Sequence, residues 1–266
     1  MPQPLPPAHP ADRAGTPAPS ARRVNGGLLH SWDLSTGVDG PGTRFVVFLS
    51  GCPLRCLYCH NPDTWHLRDG RPAPADDVVR EAAKCAEFIG ACGGGATVSG
   101  GEPLLQPYLA GGLLHRFKHE LGLHTALDTS GFLGVRATDA LLADTDLVLL
   151  DIKSWDRELY RHLTGRRLAP TLEFARRLAE LGTDVWVRFV LVPGLTDAAE
   201  NIEGVAAFTA SLGNVTRVDV LPFHRLGAPK WRALGLEYTP ADTPAPTPDQ
   251  VERARSVFAA HGLHAV

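Results

Sequence analysis

A chain of 266 residues, 44% apolar and 21% charged, fits one large α/β domain or two small ones, and this composition excludes disordered and fibrous classes. The formal charge of −3, with Lys and Arg dispersed among acids, gives no basic stripe for a nucleic acid. The longest apolar runs, RFVVFL and DLVLLDI, fall far short of the about 20 residues of a membrane span, and no apolar secretory core opens the chain, so a cytoplasmic protein without membrane or nucleic-acid partners is expected.

Residues 1–24 carry seven prolines and many alanines, too little apolar surface to order themselves, and are expected to form a flexible tail ahead of one domain over 25–266. β-rich runs predict strands at Arg44–Leu49, Ala96–Ser99, His124–Asp128, Asp146–Ile152, Asp184–Val192 and Arg217–Leu221. Between them, apolar residues at three- and four-residue intervals predict helices over Pro74–Gly90, Leu104–Leu121, Arg136–Asp144, Pro170–Leu181 and Ala198–Leu212. A last helix is predicted over Pro248–His261, after a Pro-rich loop from Thr239. Strands separated by crossovers of this length imply a parallel sheet, open or barrel-like.

Three of the five cysteines crowd into GCPLRCLYCHNPDTW, where Cys52, Cys56 and Cys59 follow the first predicted strand with Cys-x3-Cys-x2-Cys spacing. They are too close and too odd in number for a secreted disulfide framework, so metal or redox chemistry is expected. Three thiolates on a four-iron cluster leave one iron open. A structural zinc site is the alternative; it would need a fourth Cys or His, and His60 beside Cys59 is poorly placed to chelate. A simple electron carrier would want four closed cysteine ligands. Cys85 and Cys92, near the end of a predicted helix, are expected to be buried, inert thiols.

Further polar runs fall at the C-terminal ends of successive predicted strands, the rim on which parallel α/β barrels build their sites. They are SGGEP (Ser99–Pro103), DTSG (Asp128–Gly131), DIK (Asp151–Lys153), Arg188 with VPG, and PFH (Pro222–His224). Gly100 and Gly101 would let a ligand approach the backbone, with Glu102 alongside; alone, the same run is a strand-to-helix turn before Pro103. Asp151 and Lys153 offer an acid and a base, or are a solvated strand end, and His224 is a hydrogen-bonding group or an ordinary surface residue.

The cysteine spacing, with Tyr58 before the third cysteine, resembles the radical S-adenosylmethionine (SAM) superfamily. DGPGTRF (Asp39–Phe45), CLYCHNPDTW (Cys56–Trp65), SGGE, LDTSGF (Leu127–Phe132), VWVRFVLVPG (Val185–Gly194) and VLPFHRLG (Val220–Gly227) extend the resemblance over nearly all of residues 30–264 to the pyruvate formate-lyase activating enzymes. It implies a partial six-stranded (β/α)6 TIM-like barrel of parallel strands, open at the side to a peptide loop, and a 4Fe-4S cluster on Cys52, Cys56 and Cys59. SAM would contact Tyr58, Cys59, His60, Gly101, Asp151, Ile152, Lys153 and His224. Asp39 and Arg188 would face the incoming peptide, and a monovalent cation would lie at Asp128, Thr129, the Leu149 carbonyl and Asp151. The same oxygen-bearing residues serve equally as caps and turn formers. The implied activity is glycyl-radical formation on pyruvate formate-lyase by a monomeric enzyme, with reduced flavodoxin or ferredoxin as electron donor. An anaerobic ribonucleotide reductase or a dehydratase is the alternative partner. The N-terminal tail and PLR within the cysteine motif depart from the family pattern, at no ligand position.

Overall fold

The structure, a computed structural model, describes residues 26–266; the tail expected over 1–24 lies outside the described residues. In chain order the elements are β1 (Gly26–Thr36), β2 (Thr43–Leu49), β3 (Arg71–Pro74), α1 (Ala75–Ala83), α2 (Ala86–Ala91), β4 (Gly95–Gly100), α3 (Pro107–His119), β5 (His124–Thr129), α4 (Asp139–Ala143), β6 (Leu147–Asp151), α5 (Arg157–Thr164), α6 (Ala169–Glu180), β7 (Asp184–Leu191), α7 (Ala199–Leu212), β8 (Val215–Pro222), α8 (Ala228–Ala233) and α9 (Pro248–Ala260). They form one sheet of order β3-β1-β2-β4-β5-β6-β7-β8, in which β2 and β4 to β8 run parallel. These six are the predicted strands, and with their helices they make the partial barrel.

Beyond β2 the sheet continues as an antiparallel pair, β1 on β2 and β3 on β1, which the sequence reading lacked. The reasons are local. A register shift between Leu29 and Ser31 breaks the apolar alternation of β1, and β3 holds Pro72 and Pro74, which only an edge strand tolerates. The far edge, β8, is paired by the chain's end: Val218 N–H donates to His264 O (2.8 Å) and Val220 N–H to Val266 O (3.0 Å).

Alternation within the parallel strands sorts the side chains. Phe45, Val47, Leu49, Val98, Leu127, Val148, Leu150 and Val187 pack outward against Leu113, Leu172, Ala175 and other helix residues, while Ala126, Leu147 and Leu149 form a separate cluster with Trp186. Arg44, fully buried, donates to Thr97 Oγ1 (2.7 Å), Ala96 O (2.5 Å) and His124 O (3.1 Å), so main-chain and hydroxyl acceptors satisfy the charge. Burial pulls its pKa down to about 10.

The predicted helices shift where capping overrides periodicity. Pro74–Gly90 is two helices, because Lys84 and Cys85 close back on Glu81 and Ala82 in tight turns. Leu104–Leu121 begins only at Pro107, whose ring disfavours helical geometry at Gln106, and Pro103–Leu105 forms a separate 3-10 turn. Arg136–Asp144 shortens to α4, capped by the Thr138 hydroxyl accepting from Leu141 N–H (3.1 Å). Two further helices, α5 and α8, lie in segments to which the sequence assigned none.

Candidate functional site

The cysteine loop leaves β2 at Ser50 and is tied down from three sides. Gly51 and Cys52 N–H donate to Thr64 O and Trp65 O (2.7 and 3.0 Å), closing the loop on itself. Arg55 and Leu57 N–H donate to Thr164 O and Leu163 O at the end of α5 (2.8 and 3.0 Å), and Arg166 reaches Pro53 O (2.7 Å). From α8, Trp231 Nε1 donates to Cys59 O (2.8 Å) and its ring meets Trp65 edge-on at 5.0 Å. The sequence gives no role to Arg55 or Trp231, and Gly227, the last residue of VLPFHRLG, packs so closely that an added Cβ would meet His60 Cα at 2.9 Å. The Trp in KWRALG was the one available signal.

Cys52, Cys56 and Cys59 are free thiols lining one cavity of about 500 Å³. Burial raises all three pKa values, that of Cys56 to about 12, so metal loading must displace their protons. Three thiols lining one cavity complete the protein's share of a four-iron cube, whose fourth iron stays open, whereas a structural zinc would still want a fourth Cys or His ligand, so this donor set fits a cluster.

The same cavity is lined by Asp39, Tyr58, His60, Gly100, Gly101, Asp128, Thr129, Asp151, Lys153, Arg188 and His224, residues of the cysteine loop, the β1–β2 turn and the C-terminal strand ends. Ile152 does not line it: its side chain is fully buried in the core, and its N–H donates to Arg188 O (3.1 Å). Leu149 also lies outside the lining, in the cluster with Ala126. The main-chain N–H groups of this run are spent inside the protein, which leaves its carbonyls as the backbone groups toward the cavity. Gly101 N–H donates to Leu49 O (2.8 Å) and Glu102 N–H to Gly51 O (2.9 Å), and a Cβ on Gly101 would meet Gly51 O at 2.5 Å. These glycines seat the cysteine loop against β4. Glu102 is likewise buried away from the cavity; its carboxylate accepts from Thr129 Oγ1 (2.6 Å), Ser130 N (3.0 Å), Ser130 Oγ (2.5 Å) and Leu104 N (3.1 Å).

Two ion pairs cross the cavity wall. Arg188 Nη1 lies 3.2 Å from Asp128 Oδ1, whose other oxygen accepts from Ser99 Oγ (2.6 Å), and Arg188 Nη2 donates to Val38 O (3.4 Å). Lys153 Nζ lies 3.1 Å from Asp151 Oδ2 and 6.0 Å from the Tyr58 ring centre. Burial alone would lower the Lys153 pKa, but Asp151 and its neighbours more than offset it and keep the ammonium charged. Among the residues lining this cavity, two carry a buried polar atom without a partner, the Tyr58 hydroxyl and Arg188 Nε, which leaves hydrogen-bonding capacity for a bound molecule. At the rim, His60 and His224 stack at 4.2 Å, and burial lowers the His60 pKa. Away from the site, Cys85 is half-buried at the break between α1 and α2, whereas Cys92 is exposed, against the expectation of burial, because α2 ends there.

Residues 46–206 match the family described as the Radical SAM superfamily. The chain is 41% identical over 240 residues (89% of this chain, 96% of the relative) to the pyruvate formate-lyase 1-activating enzyme of Escherichia coli (strain K12). It is 43% identical over 235 residues (86% and 93%) to the pyruvate formate-lyase-activating enzyme of Staphylococcus aureus (strain USA300). Among solved structures, a domain of pyruvate-formate lyase-activating enzyme from Bacteroides vulgatus matches with a TM-score of 0.55 and 26% identity, covering 65% of this chain and 98% of that one.

Proposed function

This chain belongs to the radical SAM superfamily and, within it, to the pyruvate formate-lyase-activating enzymes, and on that basis we propose that it generates a glycyl radical on pyruvate formate-lyase by reductive cleavage of SAM at a 4Fe-4S cluster. The observation that carries the proposal is the convergence of three thiols with the C-terminal strand ends on one cavity.

Cys52, Cys56 and Cys59 would hold the cluster. When bound, the cluster would supply the one-electron reductive chemistry that cleaves SAM and so enables hydrogen abstraction from glycine. The protein's part is orientation. Tyr58 and His60 would flank the adenine, the unpartnered Tyr58 hydroxyl offering a hydrogen bond to a polar ligand atom. Lys153, held charged by Asp151, would take the ligand carboxylate, and Asp151 would also serve the ribose. Gly101 acts through its carbonyl on the ammonium, Ile152 through its main chain, and His224, stacked on His60, covers the rim. Asp39 and Arg188 face the partner's peptide; Arg188 Nε is the donor its present partners leave over. The oxygens of Asp128, Thr129 and Asp151 are the set for a monovalent cation, which would share Asp128 with Arg188. The electron comes from reduced flavodoxin or ferredoxin, and the enzyme acts as a cytoplasmic monomer in anaerobic glucose metabolism.

The test is anaerobic incubation of cluster-loaded protein with SAM, a strong reductant and pyruvate formate-lyase. An organic radical doublet on the lyase, with one 5′-deoxyadenosine per radical, is the expected result. A doublet on an anaerobic ribonucleotide reductase or a dehydratase, and none on the lyase, would reassign the partner; no 5′-deoxyadenosine with any of them would overturn the activity.

A further inference from the structure

On the outside of the barrel, at the end opposite the cysteine cavity, a second group of ligand-type side chains converges. His115 and His119 stand four residues apart on α3, a spacing that places both imidazoles on one helix face with ring centres 4.5 Å apart. Asp144 follows α4 and precedes β6, and its carboxylate accepts one hydrogen bond from each: His115 Nδ1 to Oδ2 at 2.9 Å and His119 Nε2 to Oδ1 at 2.7 Å. All three ligand atoms lie within 4.8 Å of one another, and no other trio among the described residues meets that limit. The backbone beneath is fixed, since Asp144 N–H donates to Ala140 O (3.3 Å) and its carbonyl accepts from Thr125 Oγ1 (2.6 Å).

We propose that His115, His119 and Asp144 form a binding site for a divalent zinc-class ion that fastens α3 to the end of α4. Two imidazoles and one carboxylate are the donor set of borderline metals, since magnesium and calcium want oxygen ligands alone. With bonds of about 2.0–2.1 Å, a tetrahedral ion sets its ligand atoms roughly 3.3 Å apart. The present nitrogen–oxygen distances are shorter by about half an ångström, which small side-chain rotations of two exposed histidines supply. His115 and Asp144 also border a cavity of about 510 Å³ with Tyr108 and Arg136, so the fourth position of the ion is open to water or a small anion.

The test uses the full chain with its cluster reconstituted, so that the three thiols are occupied, titrated anaerobically with zinc against a chromophoric chelator. The wild type is expected to take one zinc per chain, and His119→Gln and Asp144→Asn each to weaken binding by about tenfold or more, as loss of one of three ligands should. Melting temperatures without zinc should match wild type in both variants, and added zinc should raise that of the wild type alone. No zinc uptake by wild type, or wild-type affinity in either variant, would overturn the three-ligand site.

Discussion

Cys59→Ala is expected to reduce 5′-deoxyadenosine release to background while leaving the fold intact. The substitution removes one of three cluster ligands, and two thiolates do not hold a cube against loss of iron. It does not remove what shapes the loop, because the Cys59 carbonyl still accepts from Trp231 Nε1 and its N–H still donates to Cys56 O. Iron and sulfide analysis after anaerobic reconstitution should show the loss directly, with circular dichroism and the apo-protein melting temperature unchanged. Undiminished turnover by this variant would mean that the thiols do not hold the catalytic centre.

Arg188→Ala is expected to destabilise the protein by about 3–5 kcal/mol near neutral pH, because it breaks an ion pair in which both side chains are only 15% exposed and leaves Asp128 without its cation. The pH dependence identifies the cause. Burial already raises the Asp128 carboxyl, and Arg188 is the largest influence pulling it down; without Arg188 it rises further. A carboxyl whose folded pKa lies above its unfolded value favours folding when protonated and loses that contribution as pH climbs through the folded value. The stability deficit of Arg188→Ala relative to wild type should therefore narrow on acidification, as Asp128 takes up a proton. Urea denaturation of both proteins at two pH values measures it, and adding Asp128→Asn should recover much of the loss. A deficit that ignores both pH and the second substitution would place the effect elsewhere.

The catalytic face was readable because its chemistry is written in short runs. Cys52, Cys56 and Cys59 sit in one loop, and DTSG, DIK and PFH close successive parallel strands, so strand order alone carries them to one rim. Less readable was what each polar residue touches. Gly100 and Gly101 line the cavity as the sequence suggests, and they also admit the backbone of Leu49 and Gly51, a contact between segments about fifty residues apart that the sequence does not show. Glu102 looks like a ligand group, but Thr129 and Ser130 from the next strand capture it. Arg188 also pairs with Asp128, two strands along the sheet, a contact that its own sequence segment does not show. Such pairings depend on which inward-facing side chains fall opposite each other, which periodicity does not encode. Helix α5 does carry local signals in the sequence. Asp156 caps α5 at its start and Gly165 ends it at φ 71°, a complete pair of boundary marks around only two turns.

The central claim, that three thiols hold an open-cornered cluster for a sulfonium ligand, is tested most directly by electron paramagnetic resonance of the reduced, anaerobically prepared protein with and without SAM, alongside iron and sulfide analysis. The account predicts about four iron and four sulfide per chain and a cluster signal that changes shape when SAM is added. Protein with no labile sulfide, or a cluster signal indifferent to SAM, would contradict it.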